Sequence, residues 1–261
     1  MQEFYIKDGE IRLHAKLDMP EENGPCPLVI LVHGLTGHME EPFLRAVQKA
    51  MNEAGFAVLR TDLYGHGKSD GAFRDHTLEQ WSSDLTAVTE YAKQLPFVTD
   101  LYLCGHSQGG LLAVIAAGIR PDDYQALILL SPALTIPEDA RKGNFLGTTY
   151  DTLHIPEDLE IWGDQLGSAY FRTVQQIHPE EYIRRYRKPV LIVHGEKDEL
   201  IPVSSSATAS GQYKNCRLAV IPDDDHEYDL HPEMMCEAVT AFLKEQACRS
   251  EYKTESSVND Q

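Results

Sequence analysis

The chain has 261 residues, 23 of them basic and 41 acidic, giving a formal net charge of −18; 42% are hydrophobic and 25% charged. That composition is ordinary for a globular protein and excludes a disordered chain, a collagen-like chain and a disulfide-stapled miniprotein. The acidic balance argues against a nucleic-acid backbone or an anionic membrane surface as the main partner. At roughly 150 residues per domain the length allows one or two domains.

No segment approaches the ~20 apolar residues that span a bilayer. The start, Met-Gln-Glu-Phe-Tyr-Ile-Lys-Asp, has no basic region followed by an apolar core, so it does not read as a secretory signal. Cys26, Cys104, Cys216, Cys236 and Cys248 are scattered, odd in number and without a C-x-x-C pair. They read as reduced thiols, which makes a cytoplasmic location the default expectation.

Residues 2–7 and 10–18 read as two strands joined at Asp8-Gly9, a common hairpin pair. Leu28 to Val32 is a continuous aliphatic run, as in a strand buried on both faces. A helix is expected over 42–54, with Pro42 at its start and Gly55 just beyond its end. Phe56 to Leu59 reads as the next strand. Thr77 to Leu95 is a helix, because Thr77 and Gln80 have capping-box spacing and Trp81, Leu85, Val88 and Ala92 recur at helical intervals. Leu101 to Cys104 is a strand and Leu111 to Ile119 a helix. Ala126 to Leu130, Val190 to Val193 and Arg217 to Ile221 are further strands, and a last helix covers 231–246. The polar tail 248–261 is expected to be flexible.

Strands alternating with helices predict an α/β protein with a mostly parallel sheet. The stretch between the strands at 126–130 and 190–193 is too long for one crossover helix and is expected to form an inserted lid or cap over 133–186. The core then comprises 1–132 and 187–247. The insert holds Phe145, Tyr150, Trp162, Tyr170, Phe171, Tyr182 and Tyr186.

The strongest chemical signal is Gly105-His106-Ser107-Gln108-Gly109. It fits G-x-S-x-G, follows a strand and opens a helix, the context in which the serine is lifted out of the sheet as a nucleophile. A bulky residue at 105 or 109 would collide with backbone there. A serine hydroxyl needs a base. Of 11 histidines, His226 sits just beyond the last strand, in Asp223-Asp224-Asp225-His226-Glu227, and can reach the serine from the same sheet edge; His231 is its nearest competitor. Asp198, beyond the strand at 190–193, would orient the histidine, with Glu196, Glu199 and a helix-capping role as alternatives. The order Ser107, Asp198, His226 is that used by α/β-hydrolases. The oxyanion of a tetrahedral intermediate would be held by the backbone N–H groups of Leu35, after His33-Gly34, and of Gln108. His33 is read as a residue that braces this loop.

These residues resemble the α/β-hydrolase esterases, and within them the bacterial cinnamoyl (feruloyl) esterases. The resemblance covers 1–246 in element order. It rests on His33-Gly34, Asp62-Leu-Tyr-Gly65-His-Gly67-Lys-Ser69, Gly105 to Gly110, Gly195-Glu-Lys-Asp198 and Asp223-Asp224-Asp225-His226. It implies an α/β-hydrolase fold with an inserted cap and a Ser107–His226–Asp198 triad. It also implies a substrate-binding role for Asp139 and Tyr170, with Trp162 stacking on an aromatic acyl group. Leu35 stands where such esterases commonly carry Phe.

The expected activity is hydrolysis of hydroxycinnamate esters through an acyl-enzyme, with a small-molecule ester as partner, no nucleic acid, no membrane and a homodimer left open. No cofactor and no metal are expected, since there is no H-E-x-x-H. The competing readings are a monoacylglycerol or lysophospholipid lipase, a general short-acyl esterase, and a binding protein on a hydrolase scaffold.

Overall fold

The computed structural model describes residues 1–22 and 24–258. Chain order begins with β1 (Gln2–Asp8), β2 (Ile11–Asp18), β3 (Cys26–Val32), α1 (Pro42–Glu53), β4 (Ala57–Thr61), α2 (Leu78–Lys93), β5 (Val98–His106), α3 (Gln108–Ile119) and β6 (Leu127–Leu130). After a run of short elements it ends with β11 (Val190–Gly195), α7 (Val203–Gln212), β12 (Cys216–Ile221) and α8 (Pro232–Val258).

Eight strands form one sheet in the order β1-β2-β4-β3-β5-β6-β11-β12. β1 and β2 are an antiparallel hairpin at one edge, and β2 pairs antiparallel with β4; from β4 through β3, β5, β6 and β11 to β12 the neighbours pair in parallel. The hairpin register pairs Asp8 with Ile11, so the turn is Gly9-Glu10, one residue beyond the expected pair. Gly9 takes a left-handed φ of +58° there.

The aliphatic run of β3 explains the layering. Leu28, Ile30 and Val32 face one core with Leu78, Trp81, Leu85 of α2 and Leu111, Leu112, Ile115 of α3. Val29 and Leu31 face the other core with Phe43, Leu44, Val47 of α1 and Val239, Phe242, Leu243 of α8. Alternate side chains of a strand point to opposite faces, so an uninterrupted apolar run requires helices on both. Thr77 caps α2 as its spacing implies, its side chain accepting from the Gln80 N–H at 3.1 Å.

Between β6 and β11 lie α4 (Ile136–Arg141), β7 (Asn144–Phe145), β8 (Thr148–Thr149), the hairpin β9 (Asp158–Ile161) and β10 (Asp164–Gly167), α5 (Ser168–Val174) and α6 (Pro179–Arg185). α6 packs on α3. The Tyr186 hydroxyl beyond it donates to the Tyr124 carbonyl at 3.1 Å. α6, inside the stretch expected as an insert, thus packs as a crossover helix into β11 would. Phe145, Tyr170 and Phe171 fill that segment's interior with edge-to-face contacts, centroids 5.2–5.4 Å apart.

α8 runs on through the segment expected as a flexible tail as far as Val258, with the Arg249 guanidinium on Glu245 one turn back; residues 259–261 lie outside the described residues. All five cysteines are free. Among the described residues no helix is long and apolar enough to cross a membrane.

Candidate active site

Ser107 occupies the one-residue turn between β5 and α3. Its φ of +53° and ψ of −119° lie where side-chain-bearing residues rarely go. The surroundings hold it there. Its N–H donates to the Leu130 carbonyl at 2.9 Å, and its carbonyl accepts from the N–H groups of Gly110 and Ala133, both at 2.9 Å. A methyl group on Gly105 would run into the Gly109 carbonyl, and one on Gly109 into the His33 carbonyl. Both glycines are therefore required for the strand and helix to close on the turn. Ser107 is only 8% exposed, and that exposure opens into a cavity it shares with His226.

His226 stands on the loop after β12, and the loop is shaped by its own acidic run. Buried Asp224 accepts from the N–H groups of Asp225, Leu230 and His231. Asp225 accepts from those of Glu227 and Asp229. These two carboxylates fold the loop; neither is the one that touches the imidazole. Tyr228, fully buried with φ +61°, donates its hydroxyl to the Val193 carbonyl at 2.9 Å and accepts from Ser131 Oγ at 2.8 Å. His106 Nε2–H donates to the His226 carbonyl at 3.0 Å. Burial, with His226 as a further cause, keeps His106 far below the usual histidine range, hence neutral.

Asp198 supplies the contact. Its Oδ2 lies 2.6 Å from His226 Nδ1 and 3.0 Å from His194 Nε2. Its Oδ1 accepts from the N–H groups of Leu200 and Ile201 at 2.9 and 2.8 Å. Burial alone would raise this carboxyl; the His194 and His226 hydrogen bonds and the Ile201 N–H outweigh it and hold the group well below the ordinary carboxylate range. α7 starts at Val203 after Pro202, so Asp198 is not its cap. His231 pairs instead with Glu233, and Glu196 accepts from the Asp223 N–H.

With Nδ1 engaged, His226 Nε2 is buried and has no hydrogen-bond partner among the described residues. An imidazole that shares a cavity with a serine, has one nitrogen free and has the other tied to an ionised carboxylate is a candidate to take the hydroxyl proton.

Leu35 and Gln108, the residues expected to hold an oxyanion, flank Ser107 on two different segments. Leu35 and Gly34 line the same cavity, and a Cβ at Gly34 would sit 2.9 Å from Ser107 Cβ. His33 braces this loop: Nδ1–H donates to the Gly34 carbonyl at 2.8 Å while Nε2 accepts from the Leu63 N–H at 3.0 Å. Gln108 opens α3, where first-turn N–H groups lack intrahelical acceptors.

The Gln108 side chain is held by a directional chain. The His76 Nδ1–H donates to the Phe73 carbonyl at 3.0 Å. That leaves His76 Nε2 to accept from Gln108 Nε2 at 3.3 Å, while Gln108 Oε1 accepts from the Tyr170 hydroxyl at 2.6 Å. Burial lowers His76 to about 4, so it is neutral and keeps its accepting nitrogen.

The residues expected at the substrate divide. Trp162 lines the cavity beside Ile136 and Leu146, 55% exposed, at the tip of the β9–β10 hairpin with φ +53°. Tyr170 does not line it: its side chain is fully buried and its hydroxyl is spent on Gln108. Asp139 does not line it either. α4 turns Ile136 and Ala140 inward, one helical turn apart, and leaves Asp139 half-exposed off that face.

Sequence reasoning missed His194, Tyr228, His76 and the loop-folding use of Asp224. His194 alone carried a visible signal: a polar residue closing an apolar strand four positions before Asp198.

Comparison with known proteins bears on the family. The Hydrolase_4 family, described as serine aminopeptidase S33, matches residues 23–160. The chain superposes on Est1E from Butyrivibrio proteoclasticus with ferulic acid bound, at 51% identity and TM-score 0.93, covering 94% of this chain and 99% of that one. It is 27% identical to a monoacylglycerol lipase of Mycolicibacterium smegmatis over 90% of this chain and 94% of that protein. It is 26% identical to the serine hydrolase BPHL of Mus musculus over 77% of this chain and 74% of that protein. The chain therefore belongs to the serine aminopeptidase S33 family within the α/β-hydrolases, and it is a carboxylic-ester hydrolase of the serine type.

Proposed function

We propose that the protein hydrolyses esters of hydroxycinnamic acids, with Ser107 as nucleophile, His226 as acid and base, and Asp198 orienting the imidazole. The observation that carries the catalytic part is that His226, its Nε2 unpartnered among the described residues and its Nδ1 tied to Asp198, lines the same cavity as Ser107. Ser107 Oγ attacks the ester carbonyl as its proton passes to His226. The N–H groups of Leu35 and Gln108 hold the oxyanion. His226 then protonates the departing alcohol and activates the water that releases the acid.

The aromatic acyl group is supported by Trp162 and the aliphatic Ile136 and Leu146 beside Ser107, and by likeness to Est1E, whose structure holds ferulic acid. The segment between β6 and α6 would serve as the cap. The second reading, an acylglycerol lipase, draws on the relative from Mycolicibacterium smegmatis. Comparing kcat/KM for methyl ferulate and for a monoacylglycerol decides between them. The proposal expects the aromatic ester to be favoured; a preference for the acylglycerol contradicts it.

A further inference from the structure

The lining of the cavity of Ser107 includes two carboxylates. Glu41, from the loop before α1, and Glu227, next to His226, both line it. Glu227 is exposed, yet its carboxyl is raised above the ordinary range by partial burial and then by the negative charges of Glu41 and Asp229. The two glutamates are thus close enough to feel one another. The half-exposed imidazole of His38 lies 3.5 Å from Glu41. Among the described residues lining the cavity there is no lysine or arginine.

Reaction geometry says which part of the substrate meets these carboxylates. When the tetrahedral intermediate collapses, the bond from the acyl carbon to the alcohol oxygen breaks and its electron pair stays on that oxygen. The proton that neutralises it comes from His226 Nε2. The alcohol portion therefore departs towards His226, which Glu227 follows in the chain and which shares its cavity with Glu41.

We propose that Glu41 and Glu227 select the alcohol portion of the ester by charge, admitting hydroxyl-rich or cationic alcohols and rejecting those that carry a carboxylate. This rests on the catalytic assignment above and adds to it the half of the substrate that the acyl pocket does not read. Two acceptor-only carboxylates at the mouth can take hydrogen bonds from hydroxyl or ammonium groups. An anionic alcohol brings like charge against them with no cation to offset it.

The test is a matched series of feruloyl esters of glycerol, choline and glycolate, with the same three alcohols as butanoyl esters, on the full chain at low ionic strength. We expect kcat/KM for the glycolate ester to fall about tenfold or more below that for the glycerol ester, with the choline ester at least equal to glycerol. High salt should narrow the gap. The double variant E41Q/E227Q should narrow it to about twofold. If the double variant fails to fold, E227Q at an exposed position, together with the salt dependence of the unaltered protein, gives the same reading. No gap at low salt, or a gap unchanged by the glutamine variants, overturns the proposal. Loss of all feruloyl hydrolysis with the gap intact among butanoyl esters contradicts the aromatic-acyl reading and upholds this one.

Discussion

His194 Nε2 lies 3.0 Å from Asp198 Oδ2, the same oxygen that His226 Nδ1 approaches at 2.6 Å. His194 is fully buried; its Nδ1 meets Ser206 Oγ at 2.7 Å and its Nε2 also meets the Ile201 carbonyl at 2.9 Å. With Nδ1 accepting from Ser206, the Nε2–H is shared between the Ile201 carbonyl and Asp198. His194 thus anchors the carboxylate proposed to orient the base, as partners one step removed do in metal sites.

His194→Leu should therefore lower kcat by about tenfold, with KM within about twofold, because the loss falls on the orientation of Asp198 and not on substrate contacts. Steady-state kinetics on methyl ferulate read this. An unchanged kcat would show that Leu200 and Ile201 N–H groups alone hold Asp198.

Tyr228→Phe removes the hydroxyl that joins Ser131 to the Val193 carbonyl beneath the histidine loop. A buried bridge of this kind should cost about 1–3 kcal/mol in denaturant unfolding. The rate should fall with it, since the neighbouring His226 hangs from the same loop. Stability lost with kcat untouched would separate the loop's packing from its catalytic register.

Tyr170→Phe discriminates two roles for one hydroxyl. The geometry gives it to Gln108, so kcat should drop alike for methyl ferulate and for methyl cinnamate, which lacks the phenol. A loss confined to the phenolic ester would restore the substrate-binding role that the family likeness implies.

Acid should destabilise the protein well above the carboxylate range. Burial holds His33, His66, His76 and His106 neutral, with His66 and His76 lowered to about 2 and about 4. Unfolding releases them to an ordinary value near 6.5. Between pH 6.5 and 4 the unfolded chain binds more protons at these sites, so stability falls as pH falls. Asp84 opposes this: burial raises it to about 6, so it holds a proton in the fold that the unfolded chain sheds above its ordinary value. Four histidines against one aspartate leave a net loss of a few kcal/mol per pH unit as an upper figure. Urea midpoints at pH 7 and pH 5 measure it; equal midpoints would contradict it.

The legible and the hidden parts of the molecule differ in physical kind. β3, α2 and the turn at Ser107 were readable because each is specified locally, by an apolar run, a capping threonine or a pair of glycines around a serine. Asp198 and His226 were readable because a parallel sheet brings its strand ends to one edge. What the sequence hid depends on contacts between distant segments. Tyr170 reads as a substrate contact until its hydroxyl is found on Gln108, 62 positions away. Tyr228 joins β6 and β11 to a loop that follows β12. The packing of α6 on α3, which no local pattern announces, likewise joins segments far apart in the chain.

A feruloyl group is proposed to pass through Ser107. The most direct measurement is acid quenching of the protein during turnover of an activated ferulate ester, followed by peptide mapping. One feruloyl group on the peptide that holds Ser107, absent together with turnover in Ser107→Ala, is the result expected. An adduct on another residue, or hydrolysis retained in Ser107→Ala, would contradict it.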